Sequence, residues 1–435
     1  MKLIQKARTL FLPSPPWGRG DGGEGESKVA LGRSSPPSPQ PSPPEAGGEG
    51  EKGSTLSPWG RRVGRESEVP TRVCFLIDRL SRAGTESQLL ALIRSLDRSR
   101  VQPFLVLLDG DDALSRSLEP DCAVLRLGLR SFAEPSVFSK AARFARFLRQ
   151  NRIDILQAYF LDSVYFGVSM AKLAGVRHIL RVRNNLGYWL TAKHRWLGRL
   201  YGRWVDATLT NSEQGRQALL ESEGLPPQRV MVLENGVDVE RFAACPPPDT
   251  ARNIVRIGAV ANLRPVKNVD VLIRAAAELL AHYPDLQFEV AGDGLQREEL
   301  QQLIDELKLT KRFRLLGPVA DVPAFLGSLD IAVLCSKSEG MSNALLEYMA
   351  AGRAIVATRV GANERLLRNG EEGLLIAPNS VPELVATIGR LLQDPSLACR
   401  LGESARNHVR AQFSREAMCR RFEDLYLSLR ASSKN

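Results

Sequence analysis

Two glutamates stand eight positions apart in the run Cys335, Ser336, Lys337, Ser338, Glu339, Gly340, Met341, Ser342, Asn343, Ala344, Leu345, Leu346, Glu347. The apolar stretch Asp330 to Leu334 before them reads as a buried parallel strand, and Asn343 to Ala351 as the helix that follows. Glu339 then falls on the turn between strand and helix, and Glu347 one turn into the helix, on the face it shares with Asn343. Ser342 is the expected N-cap, its hydroxyl accepting from a free backbone N–H. A helix N-terminus presents N–H groups and the positive end of a dipole, which together favour a phosphate. A phosphate seat flanked by two carboxylates suits a phosphorylated sugar, whose hydroxyls donate well to carboxylate. The same residues also admit a plainer reading, two solvated glutamates around an ordinary strand–helix turn.

Other loops offer matching chemistry. Gly258 to Asn268 follows a strand and opens a helix, and its Arg264 and Lys267 are placed to neutralise a diphosphate. The alternative is two exposed cations in a loop. Gly292-Asp293-Gly294 allows a close backbone approach but reads mainly as a tight turn. Gly317, Pro318 and Val319 end a strand where backbone groups can read a nucleobase edge. Gly84-Thr85-Glu86, after the first strand, offers N–H groups to a phosphate from the opposite side. Asp109-Gly110-Asp111-Asp112 superficially matches an Asp-x-Asp metal pair, but after an edge-like second strand it reads as a turn. No metal is expected.

The positioning elements follow from periodicity. From Thr71 the chain alternates apolar strand, glycine-containing turn and helix, with strands expected at 72–77, 103–108, 122–127, 153–157, 177–182, 206–210 and 229–233. A proline linker near Cys245 separates this half from a second alternating series, with strands at 254–260, 286–291, 312–316, 330–334, 354–357 and 373–376. Alternation of this kind argues an α/β fold of two parallel-sheet, Rossmann-like domains, 70–245 and 250–412, with the site in the cleft between them. A last helix, 413–430, is expected to cross back onto the first half. Residues 1–68, dominated by Pro, Gly, Ser and Glu, are expected either to be disordered or to reflect a mis-called start.

Composition narrows the class. The 435 residues are 43% hydrophobic, enough for two cores, and carry a formal net charge of +10. That charge favours anionic partners without a nucleic-acid signature beside it. The six cysteines are scattered, with no CxxC pair, and read as small buried hydrophobes in a reducing compartment. No apolar run is long enough to span a bilayer, and the N-terminal apolar stretch is short for a signal peptide. A cytoplasmic protein is expected. In 189–204, Trp196, Leu200 and Trp204 form one helical stripe and Arg195, Arg199 and Arg203 the stripe beside it. Such a helix either buries its tryptophans in the core, the favoured reading, or rests on an anionic membrane.

Taken together these residues resemble glycosyltransferase family 4, the retaining nucleotide-sugar enzymes of the GT-B fold, from about Arg72 to Glu416. The pair Glu339 and Glu347 is the most specific element. Asn211-Ser212-Glu213, Asn235-Gly236-Val237-Asp238, Pro265-Val266-Lys267-Asn268 and Gly361-Ala362-Asn363-Glu364 fit as well. The resemblance implies that Lys267 contacts the donor diphosphate, Glu347 the ribose and Glu339 the transferred sugar. Backbone groups of Gly340, Met341, Ser342 and Asn343 would hold the sugar hydroxyls and phosphate, with Gly84, Asn262 and Val319 completing the donor site. Two departures stand out. The position of the family's phosphate-binding arginine is Asn262 here, with Arg264 two places on. Where members often carry a histidine, this chain has Gln157, Ala158, Tyr159 and Phe160. Tyr159, Arg181, Arg183 and Asn184 are the acceptor-side candidates.

The implied chemistry is transfer of a sugar from a nucleotide-diphosphate sugar, a co-substrate with no other cofactor, to a glycan or lipid-linked acceptor hydroxyl. The leaving diphosphate would be stabilised by Lys267, Arg264 and the helix start at Ser342. The alternatives are a nucleotide-sugar epimerase and a silent nucleotide-sugar-binding homologue acting as a complex partner.

Overall fold

The computed structural model describes residues 69–80, 84–110, 113–184, 191–251 and 253–432. The low-complexity segment 1–68, together with Asp111, Asp112 and Trp189, lies outside the described residues. The chain divides into two compact units. Of the smaller, residues 129–137 are described, a turn in which Glu134 accepts from Arg130 N at 3.0 Å and from Ser136 Oγ at 2.9 Å. The larger unit carries everything that follows.

It holds two parallel sheets. The N-terminal sheet has the order β3-β2-β1-β4-β5-β6-β7, from β1 (Thr71–Ile77), β2 (Val101–Leu107), β3 (Ala123–Arg126), β4 (Ile155–Tyr159), β5 (His178–Val182), β6 (Ala207–Thr210) and β7 (Val230–Val232). The C-terminal sheet has the order β10-β9-β8-β11-β12-β13, from β8 (Arg256–Val260), β9 (Gln287–Ala291), β10 (Phe313–Gly317), β11 (Ile331–Leu334), β12 (Ala354–Thr358) and β13 (Leu374–Ile376). The central strands are buried on both faces, which is why their sequences are continuous apolar runs and do not alternate. β2 is flanked on both sides, so the edge position expected for it belongs to β3.

Strand order reverses between β1 and β4, and again between β8 and β11. Ligands of open α/β sheets bind outside the carboxyl ends of the strands at such reversals. Gly84 follows β1, Lys267 follows β8 and Glu339 follows β11, so the topology alone gathers these loops at the carboxyl ends of the strands where each order reverses.

Two chain crossings join the halves and pair with each other. Val237 N donates to Phe413 O, and Arg415 N to Val237 O, each at 2.9 Å. Gly236 is pressed there: a Cβ would lie 2.9 Å from Ser414 O. The proline linker is clamped by Arg353, fully buried, which donates to Leu329 O at 2.6 Å and to Pro246 O. The final helix, Arg415–Ser432, packs on the N-terminal half, where Tyr426 Oη donates to Gln157 Oε1 at 2.8 Å and Met418, Leu425 and Leu429 share a core with Val73 and Phe75. Five of the six cysteines are buried free thiols, and Cys399 is exposed.

The tryptophan helix corrects an expectation. In helix Ala192–Gly202 it is Gly198 and Gly202 that face inward, where added Cβ atoms would meet the Glu223 carboxylate at 2.8 Å and Leu225 at 2.7 Å. Such close approach rotates the aromatic stripe outward. Trp196 is 57% and Trp204 44% exposed, not in the core.

Candidate active site

The C-terminal half builds its site from two loops sewn together. Val260 N, at the end of β8, donates to Tyr348 Oη at 2.7 Å, which fixes helix Asn343–Ala350 against the strand. The next residues run beside the Gly292–Gly294 turn, with Leu263 N on Asp293 O at 3.0 Å. A Cβ on Gly292 would fall 2.0 Å from Ala261 O, so only glycine fits, and this turn is structural as expected. Lys337 N then donates to Val266 O at 2.8 Å, bringing the loop after β11 against the turn that carries Lys267.

Glu339 is held from three sides. Ser336, fully buried, donates from Oγ to Glu339 Oε1 at 2.6 Å, and its carbonyl accepts from Thr358 Oγ1 at 2.7 Å. Gly361 passes beneath with φ 54°, where a Cβ would lie 2.1 Å from Glu339 O. Lys267 Nζ donates to the same Glu339 oxygen at 2.6 Å, both side chains being mostly buried. The expected diphosphate lysine and the expected sugar glutamate are thus each other's partners. Arg264 is exposed on the same turn, and its N donates to the carbonyl of Asn262, also exposed, at 2.8 Å.

Ser342 caps the helix, accepting from Leu345 N at 3.3 Å. Glu347 is partly buried one turn on, and burial pushes its carboxyl up to about 7 against a pull from Arg241. Met341 is buried, and its Sδ accepts from Asn235 N at 3.2 Å. Val319 is half-buried against the core of this helix.

The two halves meet at Asn343. Its Nδ2 donates to Gly84 O at 3.1 Å, and its Oδ1 accepts from Gln88 at 3.1 Å and Asn235 at 2.8 Å. Gly340 abuts the other half as well: a Cβ there would lie 2.7 Å from Asn184 O and 3.1 Å from Asn211 Oδ1. Gly84, Gly340, Asn343 and Asn184 are therefore brought together.

The remaining acceptor-side candidates sit deeper. Tyr159 is buried, its hydroxyl accepting from Gln157 Nε2 at 2.6 Å, and it lines a narrow cavity with Thr85, Gln88 and Asn235. Arg181 is buried and donates to Thr208 Oγ1 at 2.7 Å and to Glu223. Arg183 Nη1 donates to the same glutamate at 2.5 Å, while its Nε and Nη2 have no partner among the described residues. Asp78, at the end of β1, was not singled out from the sequence. It accepts from Ser163 N at 2.9 Å at the start of helix Leu161–Ala174, and burial pushes its carboxyl up to about 7. Ser336 and Gln88 were missed too; one serine or glutamine in an apolar or helical stretch carries no signal of its own. Asn235 lay inside a recognised segment, but nothing marked its bond to Asn343.

A family model described as Glycosyltransferase Family 4 matches residues 82–241, and one described as Glycosyl transferases group 1 matches residues 253–394. The chain belongs to glycosyltransferase family 4. It is 23% identical over 371 residues to the UDP-Gal:alpha-D-GlcNAc-diphosphoundecaprenol alpha-1,3-galactosyltransferase of Escherichia coli, covering 79% of this chain and 96% of that protein. To the D-inositol 3-phosphate glycosyltransferase of Corynebacterium jeikeium (strain K411) it is 30% identical over 245 residues, 52% of this chain and 58% of the relative. The crystal structure of Anabaena Alr3699/HepE in complex with UDP and glucose superposes with TM-score 0.72 at 20% identity, over 82% of this chain and 99% of that one. The glycosyltransferase thus has the GT-B fold, and its two matched segments fall one on each half, the first taking in β2 to β7 and the second β8 to β13. No helix among the described residues is long and apolar enough to cross a membrane.

Proposed function

We propose that this family 4 glycosyltransferase transfers a hexosyl unit, with retention and without a metal, from a nucleotide-diphosphate sugar to a hydroxyl of a glycan or lipid-linked acceptor in envelope or extracellular glycan synthesis. The observation that carries the reading is the convergence of Lys267, Glu339 and the Ser342-capped helix start on one small volume facing Gly84 of the other half. The anomeric carbon–oxygen bond to the diphosphate breaks, and its electron pair leaves with the diphosphate. Lys267, Arg264 and the helix N–H groups meet that charge, each preorganised donor contributing a few kcal/mol. The acceptor oxygen bonds to the same face of the sugar, and its proton passes to the departing phosphate oxygen. Glu339 holds sugar hydroxyls and Glu347 the ribose.

A relative named for a diphosphoundecaprenol-linked acceptor supports an acceptor of this kind. The exposed Trp196 and Trp204 support peripheral contact with the inner face of an anionic membrane through 189–204. The test is a thermal-shift screen of UDP-, GDP- and ADP-sugars on the full chain beside a Glu347→Ala variant. A donor at 100 times its dissociation constant adds about 2.7 kcal/mol. One donor class should stabilise the wild type and not the variant, and transfer from it should yield product of unchanged anomeric configuration. Absence of any shift, or release of an epimerised nucleotide sugar, overturns the proposal.

A further inference from the structure

Gln88 is the fifth residue of helix Gly84–Ser95, so it shares a helix face with Gly84, one turn back. Its amide has two N–H donors and an oxygen, and the bonds it makes reach two other parts of the chain. Nε2 donates to Gly236 O at 2.9 Å and to Asn343 Oδ1 at 3.1 Å, and Oε1 accepts from Gly236 N at 3.2 Å. Gln88 and Gly236 therefore exchange a donor and an acceptor bond, as paired residues of neighbouring strands do.

Gly236 belongs to a crossing between the halves, and the residues just before it are tied to the C-terminal half. Glu234 pairs with Arg365 at 3.3 Å, and Asn235 donates from N to Met341 Sδ at 3.2 Å and from Nδ2 to Asn343 Oδ1 at 2.8 Å. Asn343 is the first residue of the Ser342-capped helix, and its Nδ2 donates to Gly84 O at 3.1 Å. One side chain of the N-terminal half thus grips both the crossing and the start of the helix that carries Glu347. The bonds of Asn343 to Gln88 and Gly84 span the cleft, so they exist at one separation of the halves. Two-lobed enzymes adjust that separation by hinge motion about the linking segments.

The grip requires an amide of this length. Glutamate keeps the oxygen but has no N–H for Gly236 O or Asn343 Oδ1, methionine has the length and neither function, and asparagine is one methylene short.

We propose that Gln88 is a positioning residue for the transfer, setting through Gly236 and Asn343 the separation at which the N-terminal half meets the capped helix start. It acts through those two residues and not on the reacting atoms. The proposal rests on the proposed function for what is positioned, an acceptor hydroxyl against the donor sugar; the closure itself does not depend on that reading.

The experiment reads distance and kinetics on the full chain. Nitroxide labels are placed at two exposed helical positions, Leu173→Cys in the N-terminal half and Gln302→Cys in the C-terminal half, with the exposed Cys399 changed to serine. Double electron–electron resonance should give one narrow distance distribution for this parent and a broader or longer one for Gln88→Met. With the donor class found by thermal shift, kcat of Gln88→Met should fall on the order of tenfold, with donor Kd within about twofold of the parent. If Gln88→Met does not fold, Gln88→Glu is read in the same way. A role in stability alone would lower Tm and leave the distribution and the kcat of the folded protein unchanged, which overturns the proposal. An equal loss of kcat and donor affinity overturns it too. A broadened distribution in a protein that transfers no sugar keeps the closure role and sinks the transferase reading; transfer by Gln88→Met at the parent's kcat does the reverse.

Discussion

Lys267 Nζ lies 2.6 Å from Glu339 Oε1, so the cation expected on the donor diphosphate and the carboxylate expected on the sugar neutralise one another across the two loops. On the proposed function a donor exchanges this pair: its diphosphate is expected to take the ammonium and the freed carboxylate to turn to sugar hydroxyls, while Ser336, which donates to Glu339 Oε1 at 2.6 Å, keeps hold of it. A double-mutant cycle of Lys267→Met and Glu339→Gln, read by denaturation, should show a coupling of about 1 kcal/mol without ligand. Saturating UDP should abolish the coupling. Each single variant should lose on the order of a hundredfold in kcat/KM.

Glu347 predicts a pH dependence of opposite sign for stability and for binding. Its folded value of about 7 exceeds its ordinary 4.5, so the folded chain holds a proton through that window that the unfolded chain releases. The stability it contributes is complete below its unfolded value and is lost as pH rises through about 7. The Tm of the wild type should therefore fall relative to that of Glu347→Gln between those limits. Donor affinity should rise over the same window in the wild type, as the carboxylate forms, and stay flat in the variant.

Gly361 has φ 54°, and a Cβ there would lie 2.1 Å from Glu339 O. Gly361→Ala should cost more than about 1 kcal/mol from backbone strain alone, with the clash adding to it. It should also weaken the donor thermal shift, because the displaced backbone carries Glu339. Gly370→Ala is the control: φ is +87°, with nothing within 4 Å of the added carbon. That variant should show the strain without loss of donor binding.

Among the described residues, Glu223 is the one anion bonded to both Arg181 and Arg183, with side chains 3%, 6% and 10% exposed. Glu223→Gln leaves two buried guanidinium groups facing each other and should cost about 3–5 kcal/mol. Arg183→Gln leaves Arg181 and Glu223 as a balanced pair and should cost far less. Urea midpoints of the two variants measure the contrast.

Strand positions, the division into two sheets and the loops bearing Glu339, Lys267 and Gly84 were legible because parallel buried strands write themselves as apolar runs and caps and turns are local. Ser342 as N-cap needed only its neighbours. The outward rotation of Trp196 and Trp204 was not legible, because it depends on how closely Gly198 approaches Glu223 on another helix.

The sequence by itself determined which residues reach the carboxyl ends of the strands, since short apolar runs, turn residues and a 3.6-residue period set strand, turn and helix with no knowledge of partners. Tertiary structure decided what each of those residues bonds to. The Lys267–Glu339 pair, the Asn343 bridge to Gly84 and the Arg181–Glu223–Arg183 cluster join residues 72, 259 and up to 42 positions apart. Hydrogen bonds at such separations exist only once packing has closed the loops between them, so no local pattern encodes them.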